Sequence, residues 1–445
     1  MRQPSRGRAG DPSELTRGVA TLPAIGSTDT SGRALSRGVR PLVAVTLVLL
    51  ASLGPLVIGL HLPSAAQMGA DLTATPGELR WNFTLYLLGI AVGQLVFGPL
   101  SDRLGRRGPL VMGCAAGAIL CVLCALSRSI EMLAVLRFLL GLCLSTGMVL
   151  ASAIAADRSR GRGMVWIFTV LAMTGTVLPL FSPALGTVVA AHLGWRGMYW
   201  ALAAASGALC LLTLLLVPES LSAQDRWTQR LAGYTASLRA VLGNRRYLGY
   251  GVVRIMSFTA VIAYISGAPP LLQEWFGSTG TGYALVFACG AAGLCAAMLF
   301  AVGGLPRARQ RTVVMVGSVA SAVCGLGVVL AALLDGGRWT VLVPLIAAVT
   351  ALGLVVGNSS AMAIDSVREA KCTGSALLWC AMFFVGSLVP SLLAAESPAE
   401  PAVLGAVMLG CAVVAAVVTG ARPGSAGSRY GGRRALRSSS SDGAR

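Results

Sequence analysis

Few residues in this chain have the chemistry to do work, and most of those sit where such chemistry is costly. Arg137 lies inside an apolar run from Leu133 to Ala156. A cation at the centre of hydrocarbon costs about 2.5 to 3.5 kcal/mol on insertion scales, so an arginine kept there faces a wet or protein-lined cavity. Arg254 stands two turns inside another run, beyond Arg245 and Arg246. It either joins the same pathway or snorkels to the surface. His61, one of only two histidines, ends the first run. A histidine's unperturbed pKa near 6.5 suits proton binding, although His61 could equally be a plain hydrogen-bonding residue. No Asp or Glu interrupts the apolar runs; Asp102, Asp157 and Asp365 stand at or beyond their ends. Tyr86, Gln94, Ser145, Thr146, Asn358 and Ser360 complete the polar set. Hydroxyls at such positions mostly pack helices or bond back to the chain.

This inventory excludes most enzymes. Two histidines leave almost no material for a zinc centre or a Ser-His-Asp triad. The eleven cysteines lie almost entirely within apolar runs, and Cys121 and Cys124 form a C-x-x-C with no His or acidic partner nearby, so they read as small packing residues. No metal or cofactor is called for.

The strongest local pattern is the decapeptide Gly98-Pro99-Leu100-Ser101-Asp102-Arg103-Leu104-Gly105-Arg106-Arg107 between two runs. Gly98 permits close helix approach and Gly105 a tight reversal, while Arg106 and Arg107 can reach anionic headgroups. Asp102 could cap the following helix or pair with Arg103 or Arg158, forming a latch at the membrane edge.

The elements that position these residues follow from composition. The 445 residues are 55% hydrophobic and only 12% charged, with mean hydropathy +0.76. Soluble domains carry about 25% charged residues, so this is an all-α membrane protein. Twelve apolar runs of membrane-spanning length are expected: Pro41 to Leu62, Asn82 to Leu100, Gly108 to Leu126, Leu133 to Ala156, Met164 to Ala190 and Met198 to Val217, then Tyr247 to Leu271, Tyr283 to Leu305, Val313 to Leu334, Val341 to Met362, Gly374 to Leu393 and Val403 to Gly420. Residues 1–40 and 421–445 read as disordered basic cytoplasmic tails, 41–217 and 247–420 as six-helix bundles of matched length, and 218–246 as a cytoplasmic linker. Matched halves meeting at a midplane site are the usual build of secondary transporters.

The net charge of +18 is nearly all arginine. It falls in the tails and alternate loops, with only Arg80, Arg128, Arg196 and Arg338 on the opposite side. That bias places both termini in the cytoplasm and accounts for the charge without nucleic acid.

The decapeptide resembles the signature loop of the major facilitator superfamily. Tyr86 to Gly89, Gly93-Gln94-Leu95, Leu136 to Gly141, Gly194-Trp195-Arg196, Ala263 to Pro269 and Ala361-Met362-Ala363 resemble its Bcr/CflA drug-exporter branch. The resemblance implies multidrug or antibiotic efflux across the inner membrane by alternating access, drawing on the proton gradient, from a monomer surrounded by lipid. It implies a pathway role for Arg137 and an Asn near Asn358 and Ser360. Pro179, Pro183 and Gly186 resemble the superfamily's antiporter motif, a source of kinking, with Ser182 and Thr187 where glycine is preferred. Where the branch carries Asp and then Tyr, this chain has Gly59 and His61. Without that Asp, neutral or anionic amphipathic substrates fit better than cations, and proton coupling would fall to His61. The alternative is an exporter of one metabolite (an amino acid, a sugar or a self-made antibiotic), or an uncoupled facilitator.

Overall fold

The computed structural model describes residues 41–158, 170–171, 173–175, 177–221, 231–276, 280–302, 307–367, 371–393 and 401–421. The tails, Arg160, Arg162 and Arg226 lie outside the described residues. Within them the chain is helical, in the order α1 (Pro41–Leu72), α2 (Pro76–Leu104), α3 (Arg107–Ala125), α4 (Ile130–Arg158), α5 (Leu178–Leu216), α6 (Leu231–Leu242), α7 (Arg245–Phe276), α8 (Gly280–Val302), α9 (Arg307–Leu333), α10 (Arg338–Asp365), α11 (Lys371–Leu392) and α12 (Pro401–Gly420). Ten of these, among the described residues, are long and apolar enough to cross a membrane, and α8 carries a shorter apolar stretch.

The two spans that the sequence predicts here meet within α5 at Gly194, whose backbone is not helical (φ 65°, ψ 178°). At 1.5 Å per residue α5 is about 58 Å long, close to twice the hydrocarbon thickness, so two arms meet at that glycine. Pro179, Pro183 and Gly186 lie in the first arm. Pro179 sits in the first turn, where a missing N–H costs nothing. The carbonyl that Pro183 leaves without a partner, that of Pro179, accepts the Ser182 hydroxyl at 3.1 Å.

Other boundaries also move. α1 runs ten residues past Leu62 and through Pro63, because Ser64, Met68 and Leu72 continue one buried face at four-residue spacing. The expected linker contains α6, and α7 starts at Arg245. Thr75 opens α2 with a capping box to Glu78, whose carboxylate accepts the Thr75 amide at 2.7 Å. Gly105 (φ 91°) makes the reversal into α3, as its type predicts.

The two halves repeat a packing order. α4 contacts α1, α2 and α3 while α5 contacts α1 and α3; likewise α10 contacts α7, α8 and α9 while α12 contacts α7 and α9. The likeness reaches single glycines. A Cβ on Gly141 of α4 would lie 2.3 Å from the Tyr86 carbonyl oxygen of α2, and one on Gly353 of α10 would lie 2.4 Å from the Leu294 carbonyl oxygen of α8. Gly89 of α2 returns the contact, its Cβ falling 2.1 Å from the Phe138 carbonyl oxygen. Backbones approach this closely only through glycine, the usual device where apolar lipid offers no hydrophobic drive for association. Between the halves, α2 packs on α11 and α5 on α8.

One polar device ties the start of α3 to the segment after α5. Arg106, at the N-cap of α3, supplies no capping side chain. Glu219, 113 residues away, accepts the Arg106 amide at 2.9 Å and the Arg107 amide at 3.2 Å. Burial pushes its carboxyl up, but the amides of Leu221, Arg106, Arg107 and Ser220 outweigh that and hold it below the ordinary carboxylate range.

Three outcomes follow. Gly141→Val should lower the unfolding temperature and the monodisperse yield in detergent, costing about 3 kcal/mol, the upper end for overpacking, because the obstacle is a fixed carbonyl. Gly207→Ala, whose Cβ meets nothing within 4 Å, should be neutral or slightly stabilising. For Glu219, a lowered folded pKa means stabilisation that is complete above about pH 5 and lost as pH falls through the folded value. Glu219→Gln should therefore flatten the acid limb of a stability-against-pH curve; an unchanged limb would remove Glu219 from it.

Candidate functional site

The candidate residues fall into two groups, one in each half. In the first, α4 carries Arg137 inward with no solvent exposure, its Cζ 5.0 Å from the centre of the Tyr86 ring on α2. Tyr86 donates its hydroxyl to the Gly54 carbonyl of α1 at 2.8 Å, which fixes the ring as a face for the cation. His61 of α1 and Tyr199 of α5 lie close enough to the guanidinium to feel its charge directly. The His61 ring stacks near Phe83, centroids 6.2 Å apart and planes 20° apart. No hydrogen bond reaches Arg137 Nε, Nη1 or Nη2, His61 Nδ1 or Tyr199 Oη among the described residues. Gln94, further along α2, is buried with only the Met148 sulfur as a weak acceptor at 3.8 Å.

In the second half, α7 holds Arg254 with 2% exposure, so it does not snorkel. Its Nε donates to Ser360 Oγ of α10 at 2.8 Å, and its Cζ lies 5.7 Å from the Phe258 ring and 5.8 Å from the Trp379 ring of α11. Arg254 and Ser360, named separately as candidates from the sequence, thus meet. Asn358 instead bonds its own helix, at the Leu354 carbonyl, 3.0 Å. Trp379 reaches the other half, since a Cβ on Gly175 would lie 2.5 Å from its ring.

The antiporter-like stretch packs against α1. A Cβ on Gly59 would fall 1.9 Å from Ser182 Oγ, 2.5 Å from Pro183 Cδ and 2.8 Å from the Pro179 carbonyl oxygen. One on Gly186 would meet Leu60 Cα at 2.9 Å. The contact is tight despite Ser182 and Thr187, because the small residue has moved to α1. Thr187 also satisfies a carbonyl, that of Pro183, at 3.0 Å. No side chain, and certainly no carboxylate, fits at position 59.

The signature loop departs from its expected contacts. A Cβ on Gly98 would meet nothing within 4 Å, so this glycine marks no close approach; its carbonyl accepts Ser101 Oγ at 2.8 Å. Asp102 pairs with Arg106 and not with Arg103, which is exposed, or Arg158. Arg106 is buried and cannot reach headgroups: it also bonds Ser101 Oγ at 2.6 Å and approaches Asp157 at 3.5 Å. Arg107 turns to the Leu214 carbonyl and Arg158 to that of Glu219 at 3.0 Å. Among the described residues these bonds join α2, α3, α4 and the segment after α5, all on the first half's side, and brace that half.

Sequence reading missed Tyr199, Trp379, Glu219 and the outer tie of Asp71, which accepts Trp195 Nε1 at 2.9 Å and pairs with Arg196. Asp71 and Arg196 gave a signal, opposite charges at neighbouring loop edges. Tyr199 and Trp379 gave none, since aromatic residues in apolar runs are ordinary.

Comparison with known proteins agrees with this build. An uncharacterized MFS-type transporter, YdgK, of Bacillus subtilis is 28% identical over 379 residues, 84% of this chain and 93% of its own. A bicyclomycin resistance protein homolog of Haemophilus influenzae is 21% identical over 370 residues, 83% and 93% of the two chains. This match is consistent with the Bcr/CflA branch. The crystal structure of the nucleoside transporter NupG superposes with a TM-score of 0.65 at 16% identity, covering 85% of this chain and 99% of that one, a likeness of fold. The Major Facilitator Superfamily matches residues 47–390, well over half of the sequence, and the chain belongs to that family of transporters.

Proposed function

We propose that this multi-pass membrane transporter exports neutral or anionic amphipathic small molecules, as a multidrug or antibiotic efflux protein. Residues 41–217 and 247–420 would act as two six-helix halves alternating around a central site, with twelve spans, both termini cytoplasmic, in the inner membrane and as a monomer. One observation carries the substrate class: two buried arginines, Arg137 and Arg254, with no carboxylate in the middle of a described spanning helix. Like charges repel strongly at low dielectric, so a lipophilic cation meets a barrier that a neutral or anionic molecule does not. Arg254 is the nearer to the boundary between halves, through Trp379. The printed name of the Haemophilus relative supports a drug as cargo.

Proton antiport is the proposed energy source, with His61 as carrier beside Arg137, and Tyr86 and Gln94 lining the route. The filled space at Gly59 favours this assignment, since it excludes a carboxylate there. The tight enclosure of His61 favours the second reading, a facilitator of the same fold without coupling.

Reconstituted in vesicles with an imposed pH gradient, the protein should move neutral and anionic drugs, with rates for permanently cationic analogues at least tenfold lower; equal rates for ethidium-like cations would overturn the charge argument. In the same vesicles His61→Gln should remove stimulation by the gradient while leaving substrate binding within a few-fold. Undiminished stimulation would exclude His61, and a wild type indifferent to the gradient would establish the facilitator.

A further inference from the structure

The first-half cluster holds more hydrogen-bonding capacity than it uses. On α1, α2, α4 and α5 of that half, His61, Ser64, Asn82, Arg137 and Tyr199 are each almost or fully without exposure. In all five, a side-chain polar atom lacks a hydrogen-bond partner: His61 Nδ1, Ser64 Oγ, both amide atoms of Asn82, all three nitrogens of Arg137, and Tyr199 Oη. Buried polar groups are normally satisfied, so a concentration of exceptions in one half calls for a physical cause.

The imbalance has a sign. Arginine stays protonated, and its guanidinium offers five donors and no acceptor. Tyr199 and Asn82 can each donate and accept, but they are neutral and bring no counter-charge. The Tyr86 ring supplies partial compensation on one face only, and the Tyr86 hydroxyl is committed to Gly54. Cys121 and Cys124 of α3, the other groups in electrostatic contact with this cluster, are free thiols and bring no negative charge. The nearest acid along α1, Asp71, is bound to Trp195 and Arg196. A buried charge left without a counter-charge is strongly unfavourable, and a neutral water relieves the hydrogen bonding but not the charge.

We infer that the Arg137 guanidinium, fully buried beside the Tyr86 ring with all three nitrogens unpaired among the described residues, is a binding site for a small monovalent inorganic anion of the halide class, resident inside the first half. Size follows from enclosure: a cluster sealed from solvent admits a halide or nitrate and rejects an aromatic carboxylate. The inference does not depend on which solute is exported.

The test uses the full chain purified in neutral detergent, at fixed ionic strength, with sodium gluconate replaced stepwise by sodium chloride, bromide, nitrate or benzoate. Chloride, bromide and nitrate should raise the unfolding temperature by several degrees along a saturating curve, and benzoate should not. Arg137→Met should abolish the saturating shift, and Tyr199→Phe should weaken the apparent affinity several-fold. Curves that overlay in every salt would overturn the inference. So would a shift that survives in Arg137→Met, which would assign it to surface arginines, or an equal shift with benzoate, which would indicate an open carboxylate site. Should Arg137→Met fail to fold, anomalous scattering from bromide-soaked wild-type crystals decides: a peak at the guanidinium supports the site, and its absence refutes it.

Discussion

A guanidinium sealed among helices with no carboxylate to meet it is the constraint around which the first half is arranged. The positive charge of Arg137 cannot be removed by losing a proton, as a buried lysine's can. It must be tolerated through the face of Tyr86, itself fixed by Gly54, and through groups that accept or polarise. The Tyr86 ring polarises without cancelling the charge, and among the described residues no side chain pairs with it. This is an expensive arrangement for mere packing. A leucine at position 137 would fill an apolar span at far lower cost, which argues that the charge serves the transport cycle.

Why no acid faces Arg137 from α1 follows from backbone geometry more than from electrostatics. α1 and α5 approach so closely that Gly59 abuts Ser182, Pro183 and the Pro179 carbonyl, while Gly186 abuts Leu60. On this contact the residues without a side chain are Gly59 of α1 and Gly186 of α5, and both are needed for the approach. Glycine at position 59 thus serves close packing, and no carboxylate stands there.

The long apolar runs made most of the fold legible, because a chain in lipid must satisfy every backbone group within its own helices. Boundaries were less legible. Pro63 reads as a stop, yet the buried face through Met68 and Leu72 carries α1 across it. Pro183 leaves the Pro179 carbonyl without its backbone partner, and the Ser182 hydroxyl reaches it, while the junction between the two spans falls at Gly194. In the site, Arg137 and Arg254 stood out because charge in an apolar run is costly and therefore informative. Their partners did not, since Tyr199 and Trp379 are indistinguishable by type from lipid-facing aromatics. The signature loop was recognisable at every position, but the partner of each side chain was not: Asp102 reaches Arg106 within its own turn, and the cap on α3 comes from Glu219, far away in sequence.

The two arginines are not equivalent, and their difference bears on how a transport cycle could sense the halves. Every group named around Arg137 belongs to the first half, so its environment travels with that half as a unit. Arg254 rests beside Trp379, and that same indole ring presses on Gly175 across the boundary, where even a methyl group would collide. A movement of one half against the other would slide the ring from Gly175 and change the face it offers Arg254, while Ser360 holds the guanidinium at its other edge. The surroundings of the first arginine are therefore fixed and those of the second are coupled to the gap. Release of a transported solute requires an affinity that changes when such a gap opens.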